Sequence, residues 1–253
     1  MQLLILSDIH ANWPALSAVL AAEPQVNGVI CLGDIVNYGP HPARCVEWVR
    51  DHAKHGWGIQ GNHDRALGCD EGPRCSAPYR GLAADMQRFT RKQISLAAKD
   101  YLARLPTNTT QWLGGGVFFL CHAVPTEPLY TYIAPDDAKH WERECKFAGQ
   151  PDFLLVGHTH LPMIHRIGRT TIVNPGSVGQ PKNGDPRACY ALWCDGEIEL
   201  QRVTYDVQST VGDLAACATP RTAQQLAEIL MTGGNLPPVD GTKPPSCPTR
   251  RPT

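Results

Sequence analysis

Six short apolar runs in this chain each stop at a residue that can bind a metal or a proton. "LLILSDIH" delivers Asp8 and His10, "VICLGDIVNYG" delivers Asp34, and "GIQGNHD" delivers Asn62, His63 and Asp64. "VFFLCHA" ends at His122, "FLLVGHTH" at His158 and His160, and "TTIVNPGS" at Asn174. Runs this short, closed by glycine and polar residues, have the pattern of buried strands. In open α/β sheets, ligands bind beyond the carboxyl ends of the strands. A chain that puts Asp, Asn and His at that point six times is therefore expected to gather them at one mouth.

The remaining elements fit that frame. Strands are expected at residues 3–6, 29–32, 58–60, 117–121, 153–156 and 171–173. Helical spacing appears over residues 14–22 behind the candidate cap Asn12, and over 42–54 with a proline in the first turn. Two more helices are expected at 82–91 and 95–105, the second capped by Ser95, and a last amphipathic one at 221–231. Strand–helix alternation at the start implies parallel pairing. Later, "ACYALWCDGEIELQRVTYD" places strand-like runs on both sides of Asp195-Gly196, a strong hairpin turn. The expectation is an α/β sandwich of two mixed sheets with helices outside, spanning residues 1–232. Residues 233–253 are Pro-rich and polar, the composition of a disordered tail.

Composition removes several alternatives. The net charge of −1 over 253 residues disfavours a bulk-basic nucleic-acid binder. Ten cysteines are scattered without a CxxC pair, so a zinc ribbon is not expected, and several sit in apolar runs where a thiol packs as a small hydrophobe. The opening "MQLLILSDIH" lacks the basic n-region of a signal peptide, and no run reaches membrane-spanning length. These features lead to the expectation of a reduced, cytoplasmic protein without a membrane partner.

Each motif alone has an ordinary explanation: Asp-x-His as a solvated loop, Gly-Asn-His as a turn. Their recurrence in order is what changes the reading. Period two along an extended segment would point Asp8 and His10 the same way, and likewise His158 and His160. Glycines 33, 61 and 157 would let the chain turn sharply. The mixture of oxygen and imidazole donors suits divalent Mn, Fe, Co, Ni or Zn better than Mg alone.

The ordered blocks "DIH", "GDIVNYG", "GNHD", a lone His and "GHTH" resemble the calcineurin-like metallophosphoesterase superfamily over roughly residues 1–206, and its compact bacterial and archaeal phosphodiesterase branch in particular. The resemblance implies a four-layer α/β/β/α sandwich with a dinuclear metal site at the strand ends. It assigns Asp8, His10, Asp34 and His160 to one metal, and Asp34 (bridging), Asn62, His122 and His158 to the other. His63 becomes the catalytic imidazole, oriented by Asp64. Two metals about 3.5–4 Å apart clamp both oxygens of an in-line displacement at phosphorus, and a metal-bridging hydroxide is available because metal lowers the pKa of water toward roughly 7. His63 then protonates the leaving oxygen.

The substrate is expected to be a small phosphate ester, with nucleic acid disfavoured. Related protein phosphatases place a phosphate-binding Arg after the second block, where this chain has Asn37-Tyr38-Gly39. Asn37 and Tyr38 are therefore candidate substrate contacts, with room for the second arm of a phosphodiester. Arg187 is a candidate oxyanion binder or an ordinary surface arginine. Asn174 is expected to pack the site wall beside Gly176-Ser177, and the loop at 67–81 to edge the cleft. The six tryptophans are expected in core or loop packing, and His41, His52, His55, His140 and His165 at the surface. The alternatives are a phosphomonoesterase acting on phosphoproteins or nucleotides, a nuclease, and a binding module that kept the fold and lost the chemistry. The full donor set with His63 favours an enzyme.

Overall fold

The computed structural model describes residues 1–234, without the side chains of residues 54–56. The expectations for the tail beyond Gly234 and for the His55 side chain lie outside the described residues. The order is β1 (Gln2–Leu6), α1 (Trp13–Ala22), β2 (Gly28–Cys31), α2 (Pro42–His52), β3 (Ala53–Gly58), α3 (Asn62–Gly68), α4 (Arg80–Gln93), α5 (Leu96–Arg104), β4 (Asn108–Leu113) and β5 (Gly116–Cys121). Then follow α6 (Ala138–Phe147), β6 (Phe153–Leu155), β7 (Met163–Ile167), β8 (Thr170–Asn174), β9 (Ala188–Cys194), β10 (Glu197–Val203), α7 (Val207–Cys217) and α8 (Pro220–Thr232).

One sheet runs β10-β9-β1-β2-β3 and the other β4-β5-β6-β8-β7. Both are mixed: β1, β2 and β3 pair in parallel, while β9 pairs antiparallel with β1 and β10. The Asp195-Gly196 hairpin forms as expected, with both residues at positive φ (47° and 103°), as a two-residue I′ turn requires.

Alternation along β1 shows how the layers are made. Leu3 and Ile5 face the second sheet and pack with Phe118, Leu120, Phe153 and Leu155. Leu4 and Leu6 face the other way and pack with Leu16, Val46, Val49 and Leu102 of α1, α2 and α5. On the far side of the second sheet, Leu154 and Ile172 meet Trp141 and Cys145 of α6. The result is a four-layer α/β/β/α sandwich. A further cluster stands apart from these layers, where Tyr38 and Tyr79 pack with Leu82, Ala83 and Met86 of α4, Leu214 of α7, and Leu226, Ile229 and Leu230 of α8.

Five elements had no expected counterpart: α3, α6, α7, β4 and β7. Strand β3 begins at Ala53 rather than at 58, because α2 stops one turn after Val49 and the chain immediately joins β2. The nine described cysteines are all free. Among the described residues no helix is long and apolar enough to cross a membrane.

Candidate metal centre

The loops leaving β1 and β2 are zipped together beyond the sheet. Asp8 N donates to Gly33 O (3.0 Å), His10 N to Asp34 O (2.9 Å) and Ala11 N to Ile35 O (2.8 Å). Left-handed residues carry the donors, both in this zipper and after β6: Asp8, His10, Asp34, His158 and His160 have φ of 52°, 46°, 53°, 65° and 60°. The expectation that extended backbone aims Asp8 with His10, and His158 with His160, is thus corrected. A left-handed turn at each residue aims it instead, at a cost of about 1 kcal/mol apiece. The glycine expectation holds at Gly33 and is corrected at Gly61. Gly33 has the turn conformation (φ 88°), whereas Gly61 (φ −89°) is needed for proximity: a Cβ there would lie 2.2 Å from Asp34 Oδ1.

The side chains converge as two groups. Asp8, His10 and His160 place donor atoms within 4.8 Å of one another, and so do Asp34, His122 and His158. Asp34 Oδ2 lies 3.3 Å from His122 Nε2 and 3.8 Å from His10 Nε2, so one carboxylate reaches both groups. Asn62 Oδ1 joins the second group at 3.1 Å from His122 Nε2, while its Nδ2 donates to Arg74 O. Neighbouring histidines therefore serve different groups: His160 stands with Asp8 and His158 with Asp34.

The donor chemistry fits two cations. His10, His122 and His160 each use Nδ1–H to donate to a backbone carbonyl, of Val36, Leu32 and Gln180. That turns each Nε2 toward the site, with a free lone pair on His10 and His160. His10 and His160 Nε2 then face each other at 3.2 Å with no proton between them, an arrangement that a cation relieves. Asp8 Oδ1 and His158 Nε2 are buried without a hydrogen-bond partner among the described residues, Asp8 Oδ1 lying 3.2 Å from His160 Nε2. Ser7 Oγ and His158 N donate to the other Asp8 oxygen, holding Oδ1 toward the site.

Burial sets the protonation of these groups. It pushes His10 down to about 3 and holds His158 and His160 well below the usual imidazole range, so they are neutral ligands. Burial also raises Asp8 to about 6. For Asp34, burial works upward, but the charges of His122 and His63 outweigh it and keep the carboxyl well below its usual value. His122 shows the reverse balance: burial lowers it, and Asp34 lifts it to about 9. The Asp34–His122 pair thus holds a proton where a cation would compete with it.

His63 lies beside the two groups on the first turn of α3, its backbone N donating to Asp34 Oδ1 (2.9 Å). Burial pushes its imidazole down to about 4. The expected orienting partner, Asp64, points elsewhere: its oxygens accept from Ile35 N, Val36 N and Gly61 N at 2.9–3.3 Å. At N3 of a helix, that carboxylate is taken by backbone donors from the facing loop. Asn37 holds the ring instead. Asn37 Nδ2 donates to Ala83 O and, through its second hydrogen, to His63 Nδ1, the two nitrogens lying 2.8 Å apart. His63 Nδ1 is therefore the acceptor and Nε2 carries the proton.

The expected substrate contacts are partly rearranged. Asn37 is buried behind His63, and Tyr38 packs edge-on to His10 and His63 while lining the pocket. Arg187 is exposed and turned to Asp185, which it grips through Nε and Nη2, so it is an ordinary surface arginine. The pocket over the centre is lined by Asp34, His63, His158 and His160 together with Ser76, Tyr79, Tyr132 and Lys182. The loop at 67–81 thus edges it. Tyr132 stacks on His158 at 4.0 Å between ring centroids. Lys182 went unnoticed in the sequence because no spacing marks it.

Asn174 ties the wall as expected: it donates to Gly157 O and Thr159 Oγ1 and accepts from Gly176 N. Trp112 is a correction, 76% exposed on the edge strand β4 rather than packed. His52 and His140 are exposed, while His41 is half-buried against Asp213.

Comparison with known proteins agrees with this geometry. The calcineurin-like phosphoesterase superfamily domain matches residues 1–196. A metallophosphoesterase structure from Sphaerobacter thermophilus superposes with a TM-score of 0.78 at 31% identity, covering 92% of this chain and 99% of that one. An uncharacterised protein of Methanocaldococcus jannaschii, MJ0912, is 31% identical over 81% of this chain and 88% of its own length. Phosphodiesterase YfcE of Escherichia coli is 26% identical over 85% of this chain and 98% of its own length. With these blocks in order and the donors gathered at the strand ends, the chain belongs to the calcineurin-like phosphoesterase superfamily, in its bacterial and archaeal branch, and is a metal-dependent phosphoesterase.

Proposed function

We propose that the protein hydrolyses small phosphodiesters. The observation that carries the reading is the placement of Asp34 between two donor groups with His63 alongside. Asp8, His10, Asp34 and His160 would hold one divalent ion, and Asp34, Asn62, His122 and His158 the other. Bound there, the ion pair supplies positive charge to the phosphoryl group and makes water a nucleophile near neutral pH. The mixed donor set suits Mn, Fe, Co, Ni or Zn.

The chain's own residues supply the rest. The Asn37 hydrogen bond leaves the proton of the neutral ring on His63 Nε2. To give that proton to the leaving oxygen the ring must first take a second one at Nδ1, for which the Asn37 amide turns over to offer Oδ1, its otherwise unpartnered acceptor. Burial disfavours the imidazolium, and an arriving phosphate anion offsets that loss. Asn37 is thus a positioning residue. Phosphodiesters are favoured by the relative named phosphodiesterase and by a neutral Asn37-Tyr38 pair where related monoesterases carry an arginine. Nine free cysteines and the absence of a strong basic charge support a cytoplasmic protein acting on small molecules.

A second reading, phosphomonoester hydrolysis, is favoured by one observation: Lys182 lines the pocket beside the donor groups. The test is turnover by protein loaded with each candidate metal, comparing bis-(p-nitrophenyl) phosphate with p-nitrophenyl phosphate. Diester kcat/KM at or above the monoester value supports the first reading. A strong monoester preference selects the second, and no turnover of either contradicts both.

A further inference from the structure

Lys182 is the single lysine or arginine among the residues lining the pocket over the two donor groups. Its Nζ lies 4.3 Å from the centre of the Tyr79 ring, and no carboxylate among the described residues is within ion-pair distance. An ammonium held over an aromatic face, beside Asp34, His63, His158 and His160, is a cation stationed at the site rather than a solvated surface charge.

The segment carrying it is fixed at both ends. Before it, Ser177 Oγ donates to Asp8 O, Val178 N to Ser7 O and Gly179 N to Asp8 O, and Gln180 O accepts from His160 Nδ1. After it, Gly184 N donates to Gly233 O (2.6 Å). Gly233 is the left-handed cap of α8 (φ 61°), and it sits against the Asp185 backbone so closely that a Cβ would lie 2.3 Å from its carbonyl carbon. Helix α8 and the Tyr79 ring also belong to one packed cluster. The helices after residue 206 therefore brace the Lys182 segment and its aromatic seat together, and they lie outside the 1–196 stretch shared with the superfamily domain.

We propose that Lys182 binds a non-bridging phosphoryl oxygen and sets the balance between monoester and diester substrates, with α8 holding it in place through Gly233. The inference rests on the phosphoester reading. A phosphomonoester dianion presents three non-bridging oxygens; a diester monoanion presents two, its third oxygen being alkylated and less charged. A cation beyond the metal pair therefore favours the monoester, and also the inorganic phosphate released from it.

The experiment uses metal-loaded protein, with metal content checked in every variant. Inorganic phosphate is titrated calorimetrically into wild type, Lys182→Met, Lys182→Arg and Gly233→Ala, and kcat/KM is measured for p-nitrophenyl phosphate and its bis ester. Lys182→Met is expected to weaken phosphate binding at least about 10-fold and to lower monoester kcat/KM about 100-fold, with a diester loss at least about 10-fold smaller. Lys182→Arg should recover part of both. Gly233→Ala, with the ammonium intact, should move the substrate ratio in the same direction. Phosphate affinity within about twofold of wild type in Lys182→Met, or equal losses on the two esters, overturns the role of Lys182. An unchanged ratio in folded Gly233→Ala overturns the brace; if that variant does not fold, the Lys182 pair decides. Wild type that turns over neither ester would remove the phosphoester reading, and the phosphate titration would still decide Lys182.

Discussion

Asn37 Nδ2 lies 2.8 Å from His63 Nδ1, and the Ala83 carbonyl on the same nitrogen fixes which way the amide faces. A neutral amide, not a carboxylate, thus sets the tautomer of the imidazole beside the two donor groups. Replacing Asn37 with Leu should leave the metal content intact and lower kcat about 10–100-fold with little change in KM. The signature of positioning is spectroscopic: nitrogen NMR should show His63 protonated at Nε2 in the wild type and a tautomer mixture in the variant. An unaltered tautomer with the same kcat loss would contradict the assignment.

His63 itself should divide chemistry from metal binding. His63→Ala should keep its metals and lose turnover roughly 10²–10⁴-fold for substrates with alkoxide leaving groups. Nitrophenolate leaves without a proton, so its loss should be smaller. Equal losses across a leaving-group series would count against proton transfer by this ring.

Asp64 should matter for folding. Its oxygens accept three backbone N–H groups from the segments at 35–36 and 61, all buried. Asp64→Ala strands those donors and should cost on the order of 3 kcal/mol in urea unfolding of the metal-free protein. A variant that loses turnover at unchanged stability would restore the direct role expected from its place next to His63.

Lys182 gives a pH dependence whose direction can be worked out. Burial is the main cause that pulls its ammonium from the usual 10.5 down to about 8. Phosphate binding that relies on the ammonium should therefore weaken as pH rises past about 8, and Lys182→Arg should hold it to higher pH. Stability runs the other way. Between about 8 and 10.5 the unfolded chain binds more protons than the folded one, so this group makes stability rise with pH across that window. Phosphate affinity that stays flat to pH 10, at constant metal content, would contradict this placement of Lys182.

The gathering of the donors at one place was legible because each follows an apolar run, and burial of that run dictates a strand; Leu3 to Leu6 and Phe153 to Leu155 are both buried. How the donors are aimed was not legible. Left-handed φ at Asp8 or His158 depends on hydrogen bonds to a loop tens of residues away. Asp64 misled for the same reason, since adjacency to His63 says nothing about which backbone donors a facing loop brings. Lys182 carries no periodic or spacing signal, and only the fold closes its segment over the centre. Strand β4 hid because it is an edge strand of alternating exposure, "NTTQWL", without an apolar run. Helix α6 hid because just Trp141, Glu144 and Cys145 of its ten residues are buried.

The central claim is a pair of cation sites sharing Asp34, and metal stoichiometry tests it most directly. Protein stripped of metal, reloaded with Mn or Zn and freed of excess should bind two ions per chain by elemental analysis, one for each donor group. Asp34→Asn, which keeps the shape but removes the shared charge, should fall to one ion or fewer while remaining folded. A folded wild-type protein that retains no metal, or an Asp34→Asn variant that still holds two ions as tightly, would contradict the account.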